Sequence, residues 1–433
     1  MTSASTATGL KGSSARTAAL AINGGPKVRT KPLPARALFG PEEKAAVDAL
    51  FDEAIRTGSV FGYEGAQEQA YCREFAASLG GGYADAVNSG SSAVYVALRA
   101  LEIEPFTEVI VPPITDPGGI MPVALAGCIP VVADAHPGSY NVGPDEIAAR
   151  LTAHTSAIIV AHIAGEPCDM APIVALARRH GLALIEDCAQ AHGARYRGRR
   201  VGTFGDVGAF STMSGKHHAT GAQGGVVFTR DESRYWAARR YADRGKPFGI
   251  QGATSNVVAS LNLNSSDLAA AIGRVQLAKL DSIVARRREV VQAIASGLRR
   301  SRAVSLGWVP EGAEPSYWFL RLHVDTSVLQ VDGNTFATAL AAEGFPISAS
   351  YRAAFQARAA WLIERRVFGT SGYPWAAPEY HGPYKEVRDL ACPNAEAVLE
   401  SDFNLHLHER WGEEEVADFL AAVEKVEAAF AKD

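Results

Sequence analysis

IEDCAQAHGARYRGRRVGTFGDVGAFSTMSGKHHATGAQGG, residues 185–225, is the stretch that organises this chain. An apolar run over residues 182–185 delivers Glu186 and Asp187 at its end, where a buried strand hands its last residues to a cleft. A second apolar run, 207–210, delivers Ser211 and then Lys216 within a loop of Gly, Ser and His. The two strand ends therefore present a carboxylate, a hydroxyl and an amine. Pyridoxal 5'-phosphate asks for that set: a lysine to condense with its aldehyde, an acid to keep its ring nitrogen protonated, and hydroxyl or backbone N–H donors for its phosphate. Taken singly, an Asp at a strand end is usually a turn former and a Lys in a polar loop is usually solvated.

The combination of EDCAQAHGA, a small-residue turn, and FS followed five residues later by Lys resembles the DegT/DnrJ/StrS family of PLP-dependent aminotransferases. The resemblance runs from about residue 58 to the end. It implies an α/β chain of PLP-dependent transferase fold type I, with a large, mostly parallel sheet over residues 21–290 and a smaller α+β unit over 291–433. Lys216 and Asp187 are the implied catalytic pair, in an enzyme that moves an amino group from glutamate or glutamine to a keto sugar or keto cyclitol during amino-sugar or antibiotic biosynthesis.

Length and composition fit such an enzyme. A chain of 433 residues can bury a large core and a smaller one, and a net charge of −5 with no basic block argues against nucleic acid as a partner. The five cysteines, Cys72, Cys128, Cys168, Cys188 and Cys392, lack CxxC spacing, so neither a metal site nor a disulfide framework is indicated and a reduced cytoplasm is the expected compartment. No apolar run approaches a membrane span, and the first residues lack the apolar core of a signal peptide. Residues 1–20, mostly Ser, Thr, Ala and Gly, read as a disordered tail.

Residues 41–58 and 68–79 read as scaffold helices, the first with Pro at its start and Gly at its end. DAVNSGSSAVYVALRAL, 85–101, then reads as strand, small-residue turn and helix. The unpaired N–H groups of such a helix start suit a phosphate, although Ser and Gly are also ordinary caps. The resemblance assigns the phosphate to Gly90, Ser91 and Ser211. It also places Gln190 near the cofactor ring, with His192 close by.

Three departures from the family pattern stand out. In VIVPPITDPGG, 109–119, Asp116 occupies the place of the usual aromatic that stacks on the pyridine, which leaves it free to turn toward the substrate. After the lysine, Ala222-Gln223-Gly224-Gly225 replaces an acidic residue and two glycines. His217 and His218 lack a third ligand at metal spacing, so His217 is expected to position the loop or meet the substrate. Within 260–267, Asn262 matches a residue that reaches the partner's phosphate in a homodimer with shared active sites, while Asn264 replaces the usual Arg. His406, in Leu405-His406-Leu407-His408, is a further substrate candidate. YPWAAPEYHGPY, 373–384, reads equally as a docked surface loop or as a substrate wall.

Three alternatives remain at this point. Dehydratase relatives carry His where this chain has Lys216. Enzymes of the 3-amino-5-hydroxybenzoate synthase type are similar to it in the segment CPNAEAV, 392–398. A non-catalytic binding protein on the same scaffold stays open because of Asp116 and the altered loop.

Overall fold

The computed structural model describes residues 15–388 and 390–432. Its centre is a seven-stranded sheet made of β1 (Tyr83–Val87), β2 (Glu108–Val111), β3 (Ile129–Val132), β4 (Thr155–Ala161), β5 (Ala183–Asp187), β8 (Val207–Ser211) and β9 (Gly225–Thr229), in the order β1-β9-β8-β5-β4-β2-β3. Two short strands, β6 (Arg195–Tyr196) and β7 (Arg199–Arg200), form a separate ribbon with β11 (Ala313–Glu314). In the large sheet β3-β2-β4-β5-β8 pair in parallel, and only β9 runs against its neighbours.

Alternation along these strands feeds two layers. Val109, Val111, Ile159, Ile185 and Ala209 pack with Ala93, Val96 and Ala97 of α3 (Gly90–Ala100), which follows α1 (Pro41–Thr57) and α2 (Ala66–Ser78). Ile110, Ile158, Val160 and Leu184 point the other way, onto Met170, Ile173 and Leu176 of α4 (Met170–His180). A sheet apolar on both faces has to be covered on both, and its functional groups are left to the strand ends. The ends of β1, β2, β5 and β8 lead into residues 88–92, 112–119, 187–190 and 211–217, the segments singled out above.

After α5 (Glu232–Ala242) comes α6 (Asp267–Leu298), a single helix that runs through residue 290. A second sheet has the order β10-β12-β14-β13, from β10 (Val304–Leu306), β12 (Leu320–Val324), β13 (Ile347–Ser348) and β14 (Asp402–Leu405). Its core joins the end of α6 to α7 (Gly333–Ala342) and α9 (Glu413–Phe430); α8 (Pro393–Ser401) instead packs its Ala395, Val398 and Leu399 on the core of the large sheet.

Residues 15–20 do not behave as the end of a disordered tail. Ala15–Ala18 form a helical turn, and Leu20 is fully buried in the second core, because an apolar side chain preceding the 3-10 turn Ala21–Asn23 finds Val290, Ile294 and their neighbours to cover it. Residues 1–14 lie outside the described residues. The aromatic segment around 373–384 docks on the outer edge of the large sheet: Trp375 and Tyr380 are buried against Ala124, Ile129 and Val131, and Tyr380 Oη donates to Glu108 Oε1 at 2.7 Å. Among the described residues no helix is long and apolar enough to cross a membrane.

The two sheets are tied by a buried cation. Arg321 of β12 is fully buried and donates to Glu166 Oε2 (3.0 Å), Asp402 Oδ2 (2.6 Å) and the carbonyls of Gly138 and Trp308. Arg321→Ala leaves the buried Glu166 carboxylate without its counter-charge and Asp402 with His323 alone, and urea denaturation is expected to show a loss of about 4 kcal/mol. A loss under about 1 kcal/mol would mean that water or another cation takes its place.

Candidate functional site

The turn after β1 is built for close approach. Ser89 caps α3 by accepting the N–H of Ser92 (3.1 Å), so the N–H groups of Gly90 and Ser91, at the helix start, have no partner within the helix. A Cβ on Gly90 would sit 2.6 Å from Ser211 Cβ, and one on Gly225 would meet the Ser89 carbonyl at 2.3 Å. Only glycine at these two places lets the ends of β1 and β8 converge. Gly90, Ser91 and Ser211 are thereby brought to one spot, with Ser91 Oγ lying where a Cβ of Gly118 would be.

Asp187 ends β5 beside that spot. Its carboxylate is buried and accepts the N–H of Ala189 at 2.9 Å. Burial pushes its pKa above the usual carboxylate range, while that N–H and the Lys216 ammonium pull it down. Lys216 is 6% exposed, and its Nζ makes no hydrogen bond or ion pair with a described residue; it rests 3.8 Å from the centre of the Trp318 ring. Burial lowers its pKa to about 8 against the raising influence of Asp187 and Asp116. A buried amine held ready without a partner, a carboxylate that burial leaves short of positive charge, and unpaired N–H groups at a helix start form a donor set that fits pyridoxal 5'-phosphate.

The lysine loop is held from behind. Arg36 donates to the carbonyls of Lys216 (2.8 Å) and His217 (3.2 Å), and its Nε bonds Glu409, which also receives Arg287. Trp318 Nε1 donates to the Gly215 carbonyl at 2.9 Å. Below the loop lie three imidazoles whose pKa values burial lowers, to about 4 for His192. His192 Nε2 donates to the Ser211 carbonyl and His218 bonds Tyr71 Oη. His217 is fully buried, and its Nε2 donates to the Ser316 carbonyl at 3.0 Å. The post-lysine segment closes on itself through Thr212 N to the Gly224 carbonyl and the Thr212–Thr220 hydroxyl pair.

The remaining candidates fall into two groups. Gln190 accepts the N–H of Ala164 (2.9 Å) and donates to Tyr351 Oη (3.3 Å), which links β5 to a segment after β13. Asp116 is exposed, accepts the N–H of Gly118, and lies close enough for its charge to act on Lys216 and Asp187. Asn262 and His406 are not drawn to the lysine. Asn262 is exposed and accepts Asn264 Nδ2 at 2.9 Å, while His406 bonds Ser348 Oγ and lies against Phe319. Trp318, Tyr351, Arg36 and Glu409 escaped the sequence reading. Trp318 and Tyr351 carried a signal only as large aromatics, and no local pattern marks Arg36.

One cluster of possible metal ligands is already satisfied internally. Glu186 accepts the N–H groups of Gly202, Phe204 and Gly205 as well as His162 Nε2, and His162 Nδ1 accepts the N–H of Cys168.

Residues 41–367 match the DegT/DnrJ/EryC1/StrS aminotransferase family. The chain belongs to this family. A DegT/DnrJ/EryC1/StrS aminotransferase works with pyridoxal 5'-phosphate, in agreement with the donor set above. GDP-perosamine synthase of Escherichia coli O157:H7 is 36% identical over 208 residues, 48% of this chain and 56% of that protein, so the match spans about half of that relative. L-glutamine:2-deoxy-scyllo-inosose aminotransferase of Streptoalloteichus tenebrarius is 30% identical over 423 residues, 94% of this chain and 97% of that one. The solved aminotransferase from Psychrobacter cryohalolentis superposes with a TM-score of 0.77 at 28% identity, over 92% of this chain and 98% of that one.

Proposed function

We propose that the protein transfers an amino group from glutamine or glutamate to a keto cyclitol or keto sugar, with Lys216 as the amine that attaches the cofactor and then moves the substrate proton. The observation that carries this reading is the buried, unbonded Lys216 Nζ facing the ends of two parallel strands, with Asp187 on one and Ser211 on the other. Pyridoxal 5'-phosphate, when bound, supplies the aldehyde and a ring that takes up the electron pair of a breaking C–H bond. Gly90, Ser91 and Ser211 would hold its phosphate, Asp187 would keep a proton on its ring nitrogen, and Gln190 would border the ring. Lys216, with a pKa of about 8, is neutral in a large enough fraction near neutrality to accept a proton and, once charged, to return it.

The full-length match to a glutamine-dependent cyclitol aminotransferase supports the acceptor class. Incubating the enzyme with glutamine and a panel of keto cyclitols and nucleotide-linked keto sugars, read by mass spectrometry, tests it. No aminated product from either class would remove the proposal.

A cytoplasmic homodimer with a large cofactor unit over 21–290 and a smaller unit over 291–433 belongs to the same reading, and the separate sheets support the division. Asn262 lies exposed, where it is available to a second copy. Inactive Lys216→Ala protein mixed with inactive Asn262→Ala protein should regain up to about a quarter of the wild-type activity through hybrid dimers holding one intact site. Sedimentation showing an active monomer at assay concentration would rule out the shared site.

A further inference from the structure

Trp318 lies just before β12, yet it belongs geometrically to the lysine. Tyr317, before it, has the left-handed φ of 55°, which turns the chain out of the strand direction. Ser316 and Trp318 then donate their N–H groups to the carbonyls of Gly165 and Ala164, at 2.9 Å each, in a turn that itself contains two left-handed residues, Ala164 and Gly165. The Trp318 carbonyl accepts Arg287 Nη1 at 3.0 Å, and its Nε1 donates to the Gly215 carbonyl at 2.9 Å. Backbone N–H, backbone carbonyl and ring N–H are all engaged. The indole is fixed in orientation by these bonds, with the Phe319 ring centre 5.5 Å away, and Lys216 Nζ rests over its ring at 3.8 Å.

We propose that Trp318 is a positioning residue for Lys216: its indole face holds the free ε-amine at the place from which that amine takes and returns the substrate proton. The proposal rests on the reading of Lys216 as the reacting lysine. A primary amine on a four-carbon stem is free to swing, and the rate of a proton transfer falls steeply when the donor is misplaced by even an ångström. A ring face supplies a resting place without competing for the lone pair, which a hydrogen-bond acceptor would not do for the charged form without also binding it tightly. It also favours the ammonium over the amine, an attraction that strengthens where water is excluded. The groups that face Nζ from the other elements act as well: Asp187 from β5 and Asp116 from the segment after β2 favour the charged form, whereas burial opposes it. Arg36 is committed to the loop carbonyls behind, and His217 is neutral and turned to Ser316.

The test uses the full-length chain stripped of cofactor and trace-labelled with acetic anhydride between pH 6 and pH 11, with acetylation of the Lys216 peptide followed by mass spectrometry. Trp318→Leu removes the ring and should lower the labelling midpoint by about one pH unit, a tenfold change in the amine's proton affinity. Trp318→Phe keeps a ring face and loses the N–H, and should recover at least half of that shift. In parallel, the half-reaction with a saturating amino donor should slow about tenfold or more in the Leu variant and no more than about threefold in the Phe variant, with the donor KM changed less than twofold. Midpoints equal to wild type in both variants would overturn the proposal. So would a Phe variant no better than Leu, because the Nε1–Gly215 bond and not the ring face would then be responsible. Should the Leu variant fail to fold by its melting curve, the comparison of Phe with wild type decides alone, a slowdown beyond about threefold with an unchanged midpoint counting against the ring. Borohydride reduction of the PLP-loaded wild type fixes a pyridoxyl group on Lys216 if the underlying reading is right; its absence from that peptide sinks that reading separately.

Discussion

Lys216→Ala should lower turnover by about ten-thousandfold or more, a barrier increase of at least about 5 kcal/mol. Two losses act together in this variant. The chain would lose the covalent hold proposed for Lys216, and it loses the buried amine that rests over the Trp318 ring. Gly90, Ser91 and Ser211, proposed above to hold the phosphate, are untouched, as is Asp187, so the cofactor should still bind and should now be removable by dialysis after borohydride treatment. Single-turnover kinetics with the amino donor, alongside intact-protein mass spectrometry, provides the measurement. Full turnover in the variant would take the lysine out of the mechanism.

Asp187→Asn is the second large effect, and its direction follows from electrostatics. The Asp187 carboxyl is buried, which makes its charge costly unless a positive group lies opposite; the Ala189 N–H, the Lys216 ammonium and, more weakly, His162 offset that cost only in part, because burial outweighs them. A protonated ring nitrogen would supply that charge, and the carboxylate in return would raise the basicity of the ring. Asparagine keeps the shape and can still accept the Ala189 N–H, but it carries no charge. The half-reaction rate should therefore fall about a hundredfold or more, equivalent to about 3 kcal/mol of barrier, while attachment to Lys216 persists. If Asp187 served only as a turn residue, the same change would cost about 1 kcal/mol of stability with near-normal turnover per folded molecule. A melting curve measured beside the rate tells these apart.

The parts legible in the sequence are those written in local pattern. Pro41 and Gly58 bracket α1, which spans Pro41–Thr57 and ends on Gly58 at φ +67°. The apolar runs that deliver Asp187 and Ser211 are parallel neighbours in the sheet, and the Gly90 turn meets Ser211 because both follow strands that end on one edge. Illegible were the contacts made by long-range closure. The alternation of residues 317–324 reads as one strand, but Tyr317 breaks it with a left-handed turn, and β12 begins only at Leu320. That break is what sends Trp318 to the lysine. The sequence argued against a metal site at the histidine pair after Lys216 but could not name its partners; the fold buries both rings against a carbonyl and a tyrosine. Leu20, at the end of the stretch read as a tail, was misread because its partners lie in α6 and in the later helices and strands of the second core.

The clamp behind the lysine loop has a consequence for how the enzyme comes into being. Arg36 grips the Lys216 and His217 carbonyls only while Glu409 orients its guanidinium, and those two residues are 373 positions apart. During synthesis the lysine loop and Arg36 are made before Glu409, so this side of the loop's support is completed only after residue 409 has been added. The grip of Arg36 on the lysine loop thus joins segments 373 positions apart, and it can close only once both have been made.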